Sequence, residues 1–298
     1  MKSRILPGFF SVGPPRTATT WLDSALSGHV NLPERVKETR FFDLRFSHGL
    51  NWYARHFEHA RPELPTGEIA PTYFYSVAAR NRIAEVIPDA RVIVTLRDPV
   101  DRLFSHYQLG RVKGRLTGEF AQAISKDVEA VESSRYVFHL SGWQKVFGAD
   151  RVLVLIFEDL VADQTPFLEQ VAMHIGLPAN ELDTADIGRV NSARRLPIPA
   201  FPAWTRLGIT TAVRLRTYGF ARTAALIRRL QLRKLFLPES GPTVPPLDPA
   251  LASSLRERFK PEVEALERLL DRDLSIWKFG TKDAPQSQRL DNIVPRHR

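Results

Sequence analysis

Four short apolar runs recur between residues 8 and 157, each bounded by turn residues. They are Gly8 to Val12, Gly67 to Tyr73 (a short strand and turn), Val92 to Leu96 and Val152 to Phe157. The last two are continuous and rich in Val, Ile and Leu, as strands buried on both faces must be. Between the runs, apolar residues fall at helical spacing. Trp21, Leu22, Ala25 and Leu26 share one face, and Leu50, Trp52, Tyr53 and Phe57 share another. Ala78 to Ile87 reads as a helix stopped by Pro88, and Pro166 to Ile175 as a further helix. After a proline-rich linker, Pro242 to Pro249, the spacing predicts a long amphipathic helix over Ala250 to Leu270. A tail carrying Trp277 is then expected to pack back on the body. Strands alternating with helices predict an α/β fold: a central parallel β-sheet flanked by helices, in one domain over residues 1–298.

Composition sharpens this picture in three places. At 298 residues with 43% hydrophobic and 25% charged content, the chain can bury a sizeable core. The absence of cysteine excludes disulfides, thiolate metal sites and cysteine nucleophiles together. The net charge of +9 favours anionic partners, and much of it is concentrated. Residues 187–238 carry no acid but hold Arg189, Arg194, Arg195, Arg206, Arg214, Arg216 and further cations, and read as an Arg-rich helical insertion. Within it, Asn191 to Arg195 is a polar basic loop suited to closing over phosphates. Basic amphipathic helices also lie on anionic membranes, although one solvated face is the commoner reason for the pattern. No run is long enough for a membrane span or a signal peptide. The expected location is therefore the cytoplasm, with peripheral contact at the inner membrane surface through the Arg-rich segment. Residues 282–298 read as a disordered tail.

Candidate chemistry lies at two strand ends. The first run leads into Gly13-Pro14-Pro15-Arg16-Thr17-Ala18-Thr19-Thr20-Trp21-Leu22. A strand, a tight turn, a cation, hydroxyl residues and a helix start are what an anion-binding loop needs, because the first helical turn leaves N–H groups unpaired. Arg16 adds a planar donor fork, and Thr17, Thr19 and Thr20 add hydroxyls. Threonine also caps helices without any ligand. The second strand end is Arg97-Asp98-Pro99, with Asp98 suited to cap the next helix and Pro99 to begin it. Arg97 then stands at the carboxyl end of a central strand, where open α/β sheets bind ligands. Ser105, two turns further on, would converge with it on one phosphate. Against that, Arg97 could equally make a structural ion pair. Between these stretches, Glu38 sits among Lys37, Arg40, Phe41 and Phe42, an ionised carboxylate with an apolar anchor behind it. His48, His56 and His59 read as surface or packing residues.

The ordered pair of motifs resembles the sulfotransferases that use 3′-phosphoadenosine 5′-phosphosulfate (PAPS). Gly13 to Leu22 is similar to their 5′-phosphosulfate loop, and Arg97 through Ser105 to their 3′-phosphate motif. Glu38-Thr39-Arg40-Phe41-Phe42-Asp43 and Gly49 to Tyr53 are similar to the heparan-sulfate-type carbohydrate branch. The resemblance implies a P-loop NTPase-like sulfotransferase fold and sulfuryl transfer from PAPS to a hydroxyl or amine of a carbohydrate-like, lipid or other small-molecule acceptor, releasing 3′-phosphoadenosine 5′-phosphate (PAP). It implies Glu38 as general base and Arg16 as stabiliser of the leaving phosphate. Arg16, Thr17, Ala18, Thr19, Thr20 and Trp21 would hold the 5′ end of the donor, Arg97 and Ser105 the 3′-phosphate, and Arg194 and Arg195 would close over both. No metal and no nucleic acid partner is implied. The loop departs from the family in carrying Thr17-Ala18 where glycine is usual and arginine where the carbohydrate branch has lysine. Ile69 stands where a second family lysine is common. Two rivals remain: a P-loop kinase or NTPase, with Thr19 in the lysine position and Asp98 on magnesium, and a basic module binding membrane or nucleic acid without turnover.

Overall fold

In a computed structural model the described residues are 4–182, 243–280 and short stretches between 198 and 211. Arg194, Arg195, most of the Arg-rich segment and the tail from 281 onward lie outside them. In chain order the elements are β1 (Phe9–Ser11), α1 (Thr19–Leu26), α2 (Leu50–Ala54), β2 (Gly67–Ile69), α3 (Val77–Val86), β3 (Arg91–Leu96) and α4 (Pro99–Val112). There follow α5 (Phe120–Ser125), α6 (Val128–Glu132), α7 (Tyr136–Phe147), β4 (Val152–Ile156), α8 (Phe157–Ala162), α9 (Gln164–Ile175), α10 (Pro249–Leu270) and α11 (Ser275–Phe279).

The four strands form one sheet in the order β2-β1-β3-β4, and every pairing is parallel. Phe9 registers with Gly67 on one side and Arg91 on the other. The chain thus leaves β1 in opposite directions to reach β2 and β3, which opens a crevice beyond the carboxyl ends of β1 and β3. Strand side chains alternate between two cores. Phe10, Val12, Val92, Val94 and Leu96 pack with Phe41, Phe42, Tyr53, Trp143 and Trp277. Phe9, Ile69, Ile93 and Leu155 face the other way, onto Trp21, Leu22, Phe167 and Val171. Both faces are buried, which is why the runs lack polar alternation.

Several boundaries differ from the sequence expectation. The strand after Arg151 ends at Ile156, because Phe157 already opens α8. The helix expected over Gly49 to Phe57 divides into α2 and a tight 3-10 turn at Arg55–Phe57. His56 is buried and edge-on to Trp52, a packing role as expected. Trp277 is 1% exposed and packs against Tyr136, so the tail does fold back. α5 and α6 carry no clear periodic signal, since they are only five or six residues long. No described helix is long and apolar enough to cross a membrane.

Candidate active site

The loop after β1 owes its course to a close backbone approach. The Val12 amide donates to the Ile93 carbonyl at 2.9 Å, extending the pairing past β1. A Cβ on Gly13 would lie 2.7 and 2.8 Å from the Thr95 backbone N and O, so no larger residue fits. Beyond Pro15 the chain curls through two left-handed residues, Arg16 at φ 80° and Ala18 at φ 66°. Thr17, also expected to offer its hydroxyl outward, is 1% exposed and donates to the Pro14 carbonyl at 2.8 Å. It pins the loop from inside. α1 begins with no side-chain cap, leaving its first amides directed at the crevice. Thr19 and Thr20 sit on this first turn, whereas the Trp21 side chain is buried edge-on to Phe167 in the core.

The second strand end arrives beside it. Asp98 caps α4, its carboxylate accepting from the Val100 amide at 2.8 Å and the Asp101 amide at 3.2 Å, with Pro99 in the first turn. Arg97 Nη1 donates to the Arg16 carbonyl at 3.4 Å, and its guanidinium lies 4.5 Å over the Phe157 ring. Tyr136 fixes the backbone there by donating to the Arg97 carbonyl at 2.9 Å. Ser105 was expected to join Arg97; its Oγ instead accepts from Arg16 Nε at 2.9 Å. Arg16, Arg97 and Ser105 are thus brought together with Arg16 at the centre. Among the described residues neither arginine is within ion-pair distance of a carboxylate, and Arg97 Nε is buried without a partner. Burial, and then the charge of Arg97, hold the Arg16 guanidinium below its ordinary value.

Sequence reasoning missed the carboxylate under this strand end. Glu158, in α8, accepts from the Asp98 amide at 3.2 Å and leaves Oε2 buried and unpartnered. Burial pushes its carboxyl up to about 7 and that of Asp98 to about 6. Arg256 of α10 lies 3.4 Å from Asp98 and 3.6 Å from Asp101. Asp98 is therefore engaged by helix cap and arginine, not free as the kinase reading requires. An acidic residue directly after an apolar strand was the available signal for Glu158.

Glu38 reaches the same crevice from the segment after α1. Lys37 donates to Thr20 Oγ1 at 3.0 Å and approaches Asp23 at 3.8 Å, tying this segment to the anion loop. Burial raises the Glu38 carboxyl and outweighs the opposing pull of Arg40, Lys37 and Lys113; Asp43 adds to the rise. The sequence expectation that neighbouring cations dominate Glu38 is corrected by that balance. Lys113, just past the end of α4, feels the charges of both Arg16 and Glu38. Ile69 supplies no cation and belongs to the core.

A strand–loop–helix anion cradle beside a second strand-end arginine, on this sheet, defines a sulfotransferase fold. A solved sulfotransferase from Alicyclobacillus acidocaldarius superposes with a TM-score of 0.66 over 92% of this chain and 99% of that one, at 22% identity. Residues 70–181 match the Sulfotransferase family, a span that includes Arg97 and Ser105. Curated relatives include bifunctional heparan sulfate N-deacetylase/N-sulfotransferase 1 of Caenorhabditis elegans, 24% identical over 198 residues. That alignment takes in 60% of this chain and 23% of the relative. Heparan sulfate glucosamine 3-O-sulfotransferase 3B1 of Mus musculus is 29% identical over 184 residues, 59% of this chain and 47% of the relative. The chain spans less than half the length of either.

Proposed function

We propose that this chain transfers a sulfuryl group from PAPS to a hydroxyl or amine of a carbohydrate-like, lipid or other small-molecule acceptor. The observation that carries the reading is the pair Arg16 and Arg97, adjacent and without carboxylate partners at the mouth of an uncapped helix. Two like charges held together are costly until an anion enters between them. A nucleotide bearing both 5′ and 3′ anions supplies one to each: Arg16 and the α1 amides at the 5′ end, Arg97 at the 3′ end.

In this reading Glu38 takes the acceptor's proton as the acceptor oxygen or nitrogen attacks sulfur. The bond from sulfur to the 5′-phosphate oxygen breaks in line, and the electron pair leaves on that oxygen. Arg16 and the loop amides stabilise the charge that gathers there, an electrostatic role typically worth about 10²–10³ in rate for one donor. A half-buried Glu38 with a raised proton affinity is a stronger base than a solvated one, and a placed base contributes roughly 10²–10⁴. PAPS is a substrate here, and no residue role requires a metal.

Calorimetry with PAP tests the donor. Arg97→Ala should weaken PAP binding about 10–100-fold, the scale of one charge-assisted phosphate contact, and leave the analogue lacking the 3′-phosphate almost unaffected. Equal losses for both would remove Arg97 from the 3′ site. In parallel, Glu38→Gln should bind PAP normally and lose turnover with a sugar or phenolic acceptor; normal turnover would remove it as base.

A further inference from the structure

Behind Glu38 lies a second carboxylate that the reaction as drawn does not use. Glu68, in β2, is fully buried. Its Oε1 accepts from the Thr39 amide at 2.8 Å and from Thr39 Oγ1 at 2.7 Å. Its Oε2 accepts from the Tyr53 hydroxyl at 2.7 Å, and Tyr73 stands 3.4 Å from both oxygens. No cation among the described residues comes within ion-pair distance of it. Every close partner is a donor, yet burial outweighs these hydrogen bonds and raises the Glu68 carboxyl, and the charge of Glu38 adds to the rise. A buried carboxylate without a cation is expensive, and a well-packed apolar side chain is the cheaper occupant if stability alone is served.

All of this effort converges on Thr39, the residue after the proposed base. Its amide and hydroxyl bind Glu68, its hydroxyl also accepts from the Phe41 amide at 3.1 Å, and its carbonyl accepts from Arg45 Nη1 at 2.6 Å. The next residue, Arg40, is left-handed at φ 56° and opens a wide π turn over Phe41–Arg45. Arg40 is itself locked by Asp43, Nε to Oδ2 at 2.6 Å. The backbone on the carboxyl side of Glu38 therefore has no slack.

We propose that Glu68 is a positioning residue for Glu38: it clamps Thr39 from beneath, which aims the Glu38 carboxylate. This rests on Glu38 being the base.

Glu68→Leu removes the acceptor that holds Thr39, whereas Glu68→Gln keeps the shape and that acceptor. Turnover should fall about 10-fold or more in Glu68→Leu with PAP affinity unchanged, and Glu68→Gln should restore most of it. Thr39→Val weakens the clamp from the other side; it should lower turnover with PAP affinity unchanged, and it tests positioning even if Glu68→Leu fails to fold. Full turnover in Glu68→Leu or in Thr39→Val overturns the proposal. So does a joint loss of PAP affinity and turnover, which marks Glu68 as scaffold. If the wild-type protein does not bind PAP, the donor assignment fails instead; the carbon-detected NMR shift of the Glu38 carboxyl, which should move in Glu68→Leu and Thr39→Val and stay in Glu68→Gln, still decides the positioning.

Discussion

Ala18 shows how much one residue in the loop must tolerate. An L-residue in the left-handed region costs about 1–2 kcal/mol, and glycine is the usual remedy. Yet Ala18 also packs against the core around Trp21, and its methyl is worth roughly 0.8 kcal/mol buried. Glycine adds its own entropy cost on folding, about 0.5–1 kcal/mol. These offset, so Ala18→Gly should leave denaturant stability within about 1 kcal/mol of wild type. Ala18→Val, β-branched at positive φ, should lose about 2 kcal/mol or more. If valine is as well tolerated as glycine, the left-handed conformation at position 18 is wrong. Arg16 carries the same backbone strain at φ 80°, and it is the residue that meets the developing charge in the proposed transfer. Strain concentrated in this way is common where a loop is held open for a ligand.

At the scale of elements, the site is an intersection of strand ends and helix starts. β1 and β3 approach until Gly13 touches the Thr95 backbone, and α1 and α4 begin where those strands stop. Gly13→Ala would drive a methyl into both the Thr95 amide and carbonyl, which are strand backbone and cannot swing aside. We expect a loss of several kcal/mol by chemical denaturation, beyond the range of ordinary surface changes, and loss of PAP binding in whatever fraction folds. A stable Gly13→Ala protein with normal PAP affinity would show that the loop runs elsewhere. The helices are tied to this intersection from outside by Arg256, which reaches Asp98 and Asp101 at the start of α4. α10 follows the Arg-rich stretch by sequence and still braces the start of α4.

At the scale of the whole molecule, buried titratable groups oppose one another as pH changes. Burial holds Glu158 up at about 7, against an ordinary 4.5, so its contribution is full below 4.5 and is lost as pH rises through 7. His56 and His139 are held down at about 4 by burial, so theirs is present above 6.5 and lost as pH falls toward 4. A wild-type melting profile mixes both. The difference between Glu158→Gln and wild type isolates the carboxylate, because glutamine can still accept from the Asp98 amide. That difference should be near zero at pH 4.5, grow in favour of glutamine, and level off above pH 7, on the order of a few kcal/mol. A difference that is flat with pH would mean Glu158 is solvated or paired in the folded protein.

How much of this could be read without coordinates follows from what kind of force acts at each place. The strands and the principal helices were legible, since a core on each side of the sheet leaves a periodic apolar imprint. Asp98 and Pro99 were legible as cap and first turn because those interactions span only two or three residues. Arg16, Arg97 and Glu38 stood out by chemistry and order along the chain. The short helices α5 and α6 did not, for five or six residues carry too little period to detect. Nor could the chain reveal that Ser105 serves Arg16, that Thr17 faces inward, or that Glu68 grips Thr39 across 29 residues. The sequence by itself determined the sheet's strands and principal helices and the charged loop after β1, because propensity and local contacts decide those. Only the tertiary structure decided which charges are desolvated and which hydroxyl meets which cation. Burial and long-range packing govern both, and neither leaves a mark in the order of residues.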